Sequence, residues 1–189
     1  ARQAEFPARF QLIAAMNPCR CGHGKASGRA CGRGPNCEAV YQSRVSGPML
    51  DRIDIAIDLA PVTPADLARP ATGEPSADVA ARVSAARAIQ RERARAETGA
   101  EAVNAALPDA ALEKVASPDA DGATLLTRAA ETLGFSARGY HRILRVARTL
   151  ADLEGETPVR RRHIAEAVSY RRRDGAPAGA PEFSARTTA

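Results

Sequence analysis

The chain has 189 residues, 44% hydrophobic against 26% charged, which is enough to build one or two globular domains around a real core. Aromatics make up only 4% and Trp is absent, a composition that favours Ala- and Leu-packed helices over an all-β sandwich. The formal net charge of +5 rests almost wholly on arginine, because Lys25 and Lys114 are the two lysines, and neither completes a Walker A loop. That loop needs Gly before its Lys and a second Gly five residues earlier; Lys25 follows Gly24 but position 19 is a Cys, and Lys114 follows Glu113. No apolar run reaches the length of a membrane span or resembles a signal peptide, so the expectation is a soluble, cytoplasmic protein with no membrane partner.

In chain order, Phe10 to Met16 is a nearly continuous apolar run stopped by Asn17-Pro18, the pattern of a strand buried on both faces. A Gly- and Cys-rich stretch from Cys19 to Cys37 follows, then a short predicted helix around Glu38 to Arg44. Ile53, Ile55, Ile57 and Leu59 alternate with Asp54, Ala56 and Asp58, which predicts an edge strand ended by Pro61. Two strands alone make no stable sheet, so partner strands are required from elsewhere. Residues 61–77 carry the Pro and Gly content of a linker. Beyond it the pattern is helical. Ser76 is placed to cap a helix to about Ala96, and Asp109 to Ala116 forms a short one. A third helix starts at Asp121 or Thr124 and stops at Gly134. Ser136 caps a long helix to Leu153, and Thr157-Pro158 reads as the N-cap and first position of a last helix to about Tyr170. The tail, 174–189, has a disorder-like composition.

Four cysteines, Cys19, Cys21, Cys31 and Cys37, make up the whole cysteine content and fall within one short loop. In a reducing compartment such a cluster among flexible glycines suits a structural Zn2+ bound by four thiolates, with His23 a possible substitute for one sulfur. Unligated thiols in a surface loop are the bland alternative. Asn17, at the end of a strand, is placed where a polar side chain meets a ligand at the carboxyl edge of a sheet, or merely caps the next turn. Arg52 precedes the edge strand, free to reach a neighbouring subunit or to pair with Asp51 or Asp54. On the long helix, Arg142 and Arg145 fall within about 40° of Arg138, opposite an apolar face of Tyr140, Ile143, Leu144, Ala147 and Leu150. Such a stripe suits phosphate oxygens, or is a solvated face. Arg160, Arg161 and Arg162 open the last helix, against the sign of its macrodipole.

Three segments occur in a recognisable order: Pro7 to Gly22 (PARFQLIAAMNPCRCG), Ser46 to Asp54 (SGPMLDRID), and Ser136 to Leu153 (SARGYHRILRVARTLADL). Together they resemble the magnesium-chelatase-like AAA+ ATPases of the YifB/ComM type, and Arg82 to Arg93, Asn104-Ala105 and Glu166 to Arg171 match the same family. The resemblance spans about Phe6 to Arg172. It implies a fold in which the last two strands of an α/β AAA+ P-loop NTPase core (1–60, with the cysteine loop at 19–37) are followed, after the linker, by an all-α lid domain of the Mg-chelatase C-terminal type (78–173). By the resemblance Asn17 is the sensor 1 residue that orients the attacking water. Arg52 is the arginine finger, acting in trans, and Arg138 is the sensor 2 arginine. The implied cofactors are ATP and Mg2+. The implied assembly is a homo-oligomeric ring, a hexamer by the resemblance, that moves on DNA as a branch-migration or helicase-like motor in recombination or natural transformation. The cysteine loop favours that branch over the chelatase subunits.

Walker A, Walker B and the first three strands are assigned by the resemblance to sequence before Ala1, supplied in cis or in trans. The chain is accordingly expected to be the C-terminal part of a longer protein and to hydrolyse no ATP alone. Two other readings stay open: a stand-alone zinc-stabilised, arginine-rich nucleic-acid-binding module, and a magnesium-chelatase ATPase subunit.

Overall fold

The structure is a computed structural model that describes residues 4, 10–22, 36–59, 62–70 and 73–171. His23, Cys31 and the tail from 174 lie outside these residues. The chain divides into two compact units, Ala1–Val45 and Ser46–Ala189.

In the first unit, residues 10–16 carry no regular secondary structure and join no ladder among the described residues. Their apolar side chains face solvent, with Phe10 77% and Ile13 85% exposed. Helix α1, Cys37–Gln42, follows the cysteine loop. Gln42 Nε2 donates to the Pro18 carbonyl at 3.2 Å, tying the helix to the chain just after residues 10–16.

The second unit opens with two single-turn helices, α2 (Gly47–Leu50) and α3 (Pro64–Leu67), the latter closed by a capping box between Thr63 and Asp66. Its body is five helices: α4 (Ser76–Thr98), α5 (Asp109–Val115), α6 (Ala120–Leu133), α7 (Ala137–Leu153) and α8 (Arg161–Ser169), with a 3-10 turn at Asn104–Ala106. Helix α7 is the hub, packed against α4, α5 and α8, while α6 packs on α8. The register of α7 explains this. Ile143, Leu144, Ala147 and Ala151 recur at helical spacing and are almost wholly buried, meeting Leu112, Leu126, Val159 and Ile164 from the neighbouring elements. Each buried Leu or Ile contributes about 1.5–3 kcal/mol relative to exposure, and the alanines allow close approach of the helix backbones.

The helix signals held with instructive shifts. Ser136 caps α7, its Oγ accepting from Gly139 N–H at 3.1 Å, and Gly134 ends α6 at φ 63, a left-handed conformation that favours glycine. Helix α6 starts from Asp119, whose Oδ1 accepts from Gly122 N–H at 2.7 Å, earlier than Asp121 or Thr124. Helix α8 starts at Arg161, later than the Thr157-Pro158 pair suggested. Val159 is instead drawn into the core in extended form: it bridges Pro118 and its carbonyl accepts from Asp119 N–H at 2.9 Å. One tie therefore fixes the starts of both helices.

The α/β half of the expected fold is not formed by the described residues. Neither 10–16 nor 53–59 pairs as a strand, and Ile55, Ile57 and Leu59 are 48%, 65% and 88% exposed. The physical reason is the one the sequence gives: an apolar run becomes a strand only when other strands satisfy its backbone and cover its face. The observed architecture is mostly helical, with a C-terminal helical domain.

Candidate functional site

Segment 51–56 is fastened to the helical body at both of its flanks. Asp51 Oδ1 accepts from Arg171 Nη2 at 2.8 Å, and Asp51 Oδ2 accepts from the Ser136 hydroxyl at 3.0 Å. Arg171 Nη1 also donates to the Ile53 carbonyl at 2.9 Å, and Ala56 N–H donates to the Tyr170 carbonyl at 2.9 Å. Asp54 pairs with Arg142 of α7. Ser136 is the residue that caps α7, so the turn bearing Arg52 is bonded to the start of the helix that carries Arg138.

These bonds sort the arginines. Both acids that flank Arg52 are occupied by Arg171 and Arg142, so the intramolecular pairs foreseen for Arg52 are not formed. Arg52 is exposed and donates from Nη1 to the Pro48 carbonyl at 2.7 Å. Of the stripe on α7, Arg142 is taken by Asp54, and Arg145 donates to Asp109 at 2.6 Å and to the Leu107 carbonyl at 3.0 Å. The Arg145 bond holds the Asp109 carboxyl below its usual range. Arg138 is exposed and has no hydrogen bond or ion pair among the described residues. The stripe thus resolves into two structural arginines and one uncommitted one. Asn17 is exposed just after residues 10–16.

The charge conflict at α8 is also resolved locally. Arg162 pairs with both Glu154 and Glu156, and Arg160 pairs with Glu156 at 3.1 Å. Burial raises the Glu154 carboxyl, but hydrogen bonds from His163 and Arg162 outweigh it and hold the group below its ordinary value. Fully buried His163 accepts from Arg160 N–H at Nδ1, 2.9 Å, which leaves Nε2 to donate to Glu154 at 3.0 Å. Glu154, Glu156 and His163 lie close enough to share a cation, yet their lone pairs are committed to two guanidinium groups and an imidazole N–H.

Sequence reasoning missed a buried polar network. Arg148 and Asp152, each almost wholly buried, pair within α7, and Arg93 of α4 donates to both Asp152 oxygens at 2.7 and 2.6 Å. Asn104 donates to Asp152 at 2.9 Å, and the backbone carbonyls of Glu156 and Thr157 take the Arg148 donors. Burial pulls the Arg148 guanidinium below its ordinary value, against the pull of Asp152. The clue available in sequence was weak: Arg148 falls about 80° from Arg138 around the helix, at the margin of the arginine stripe.

In the first unit the Sγ atoms of Cys19, Cys21 and Cys37 lie within 4.8 Å of one another, with Cys19 buried. Gly22 at φ 76 turns the chain here, its N–H donating to the Cys19 carbonyl at 3.0 Å, which folds Cys21 back beside Cys19. Tetrahedral zinc with Zn–S near 2.3 Å separates its sulfurs by roughly 3.8 Å. Cys19 and Cys21, at 2.8 Å, would spread by about 1 Å to seat the ion. The donor set is soft thiolate and fits zinc.

This fold and these motifs coincide with a known family. Residues 1–67 match the model of magnesium chelatase subunit ChlI, and residues 73–171 match that of the ChlI C-terminal domain. The chain belongs to the magnesium chelatase ChlI family, and its relatives place it with the ComM/YifB type. It is 41% identical over 168 residues to competence protein ComM of Haemophilus influenzae, 88% of this chain and 31% of that protein. It is 40% identical over 167 residues to the uncharacterised protein YifB of Salmonella typhimurium and 38% identical over 167 residues to YifB of Escherichia coli. Each of these matches covers 88% of this chain and 31% of the relative. The chain therefore spans about a third of the length of the curated relatives it matches.

Proposed function

We propose that this chain is the C-terminal portion of an AAA+ ATPase that acts on DNA, as a branch-migration or helicase-like motor in recombination or natural transformation. The observation that carries the reading is the sorting of charges around segment 51–56: the neighbouring acids are neutralised by Arg171 and Arg142, while Arg52 and Arg138 stay exposed and available to an anion. Family membership supports it, and so does the likeness to a competence protein of Haemophilus influenzae.

In this reading ATP with Mg2+ supplies the phosphoryl group whose hydrolysis drives the motor, held by the Walker-containing half that precedes this chain. Arg52 reaches the phosphates of the adjacent subunit in a homo-oligomeric, hexameric ring and neutralises charge that develops there. Asn17 orients the attacking water. Arg138 senses the phosphates from the helical domain. Cys19, Cys21 and Cys37, joined by Cys31, hold a structural zinc that stiffens the loop next to Asn17.

The test begins with the coding sequence upstream of Ala1, where a G-x-x-x-x-G-K-[ST] motif is expected; a complete gene without one overturns the motor reading. In the intact protein, Arg52→Ala should lower ATP turnover by about 10³- to 10⁵-fold. Metal analysis should find about one zinc per chain, lost in Cys31→Ser; unchanged metal content in that variant removes the zinc assignment.

A further inference from the structure

We infer that Arg171 is a positioning residue for Arg52: it clasps the turn that carries Arg52 to the helical domain, at the place where that domain begins the helix bearing Arg138. The inference rests on the reading of Arg52 as a phosphate-directed arginine given above.

Arg171 follows the last turn of α8, and its side chain is only 10% exposed, unusual for an arginine at the end of a helix. Its two Nη atoms hold two different parts of one turn, the Asp51 carboxylate at 2.8 Å and the Ile53 carbonyl at 2.9 Å, one on each side of Arg52. A guanidinium fork held this way fixes the direction of the peptide between its two partners, which a single ion pair cannot do. The next bond along, Ala56 N–H to the Tyr170 carbonyl at 2.9 Å, extends the grip to the residue before Arg171 and further along the segment that follows Arg52. The same Asp51 carboxylate spends its other oxygen on Ser136, whose hydroxyl oxygen in turn accepts from Gly139 N–H at the start of α7. Asp51 Oδ1 and Arg171 Nη2 also come within 3.6 and 3.5 Å of where a side chain at Gly139 would begin. Ser136, two residues before Arg138, thus bonds the residue before Arg52, and Gly139, the residue after Arg138, lies close to it.

Beyond this grip the same segment is exposed. Ile53 is half-buried, and exposure climbs through Ile55 and Ile57 to 88% at Leu59. The turn closes on itself through Arg52 N–H to the Met49 carbonyl and Ile53 N–H to the Leu50 carbonyl, both at 3.0 Å, but its tie to the helical domain rests on these side-chain bonds, and Arg171 supplies the most enclosed of them. Displacement of a charge-stabilising group by about 1 Å is enough to cost roughly 100-fold in rate, so loss of the clasp acts on turnover through Arg52.

The experiment has two arms with Arg171→Gln, which keeps a hydrogen-bonding amide but loses the charge and the fork. In the 189-residue chain, amide hydrogen exchange should accelerate by about ten-fold or more at Ile53 and Ala56 and stay unchanged at Ala147 and Ala151 of α7. Unchanged exchange at Ile53 and Ala56, or equal acceleration throughout α7, overturns the inference. In the intact protein, Arg171→Gln should lower kcat by about 10- to 100-fold with KM for ATP nearly constant, and should add no further loss on top of Arg52→Ala; an independent, multiplicative loss in the double variant overturns it. Arg171→Lys, which restores the charge without the fork, should recover only part of kcat. An intact protein without ATP turnover would overturn the motor reading and with it the catalytic purpose of the clasp, while the exchange arm would still decide whether Arg171 holds the turn.

Discussion

Two apolar segments of similar character meet opposite fates in this molecule. In α7, Ile143, Leu144, Ala147 and Ala151 are buried on all sides, and even the charged Arg148 and Asp152 are drawn inside with them. In residues 10–16, Phe10, Leu12, Ile13 and Met16 stand exposed. Hydrophobicity does not separate them. A helix satisfies its own backbone hydrogen bonds and needs only a neighbour for one face, whereas an extended run depends on adjacent strands for both backbone and side chains. The difference teaches that the helical domain covers its own apolar face, whereas nothing among the described residues covers the apolar side chains of 10–16.

The sharpest way to break this contrast is to disturb the buried charges of α7. Asp152→Ala leaves Arg148 and Arg93 facing each other without their shared acid and should cost about 3–5 kcal/mol, read as a lowered denaturant midpoint. Leu126→Ala, at a site 1% exposed, should cost about 2–5 kcal/mol by opening a cavity between α6 and its neighbours. Ser136→Ala removes the cap of α7 together with a bond to Asp51, and about 1 kcal/mol of stability should go with it.

Acid should act in the same direction and more gently. The Glu154 and Glu156 carboxyls are held below their ordinary values, Glu154 by His163 and Arg162 against its burial and Glu156 chiefly by Arg162. A carboxyl depressed in the folded state binds its proton more readily when unfolded, so its contribution is complete above the ordinary carboxyl range and is lost as pH falls. Melting temperature should be level above about pH 5.5 and decline below about pH 4.5, with Glu154→Gln flattening part of that decline. The smallest effect belongs to residues 10–16: Ile13→Ala should change stability by no more than about 0.5 kcal/mol, because its side chain is 85% exposed. A loss near that of Leu126→Ala would show that Ile13 is packed in solution and remove the contrast.

Much of the helical domain is legible in the sequence. The apolar period of α7, its Ser136 cap and the Gly134 stop are local signals, and local signals carry helices because the hydrogen bonds close within four residues. The start of α8 was misread because Thr157-Pro158 is a sound local signal overruled by a tertiary one, the burial of Val159 against α5 and α6 neighbours through its tie to Pro118 and Asp119. For the candidate site, Arg52 and Arg138 were legible as residues from motif order. Their availability was not, since it depends on which acids other arginines occupy.

The sequence by itself determined where helices run, where glycines stop them, that one stripe of α7 is charged, and to which family the motif order points. Only the tertiary structure decided which arginines are structural: Arg142 reaches Asp54 across 88 positions, Arg171 reaches Asp51 across 120, and Arg148 is buried against its own helix neighbour and the carbonyls just past the end of α7. The reason is that a guanidinium is chemically the same at every position. What it does is set by the acid or carbonyl that folding brings to it, and the partners of Arg142 and Arg171 lie too far along the chain for any local pattern to announce.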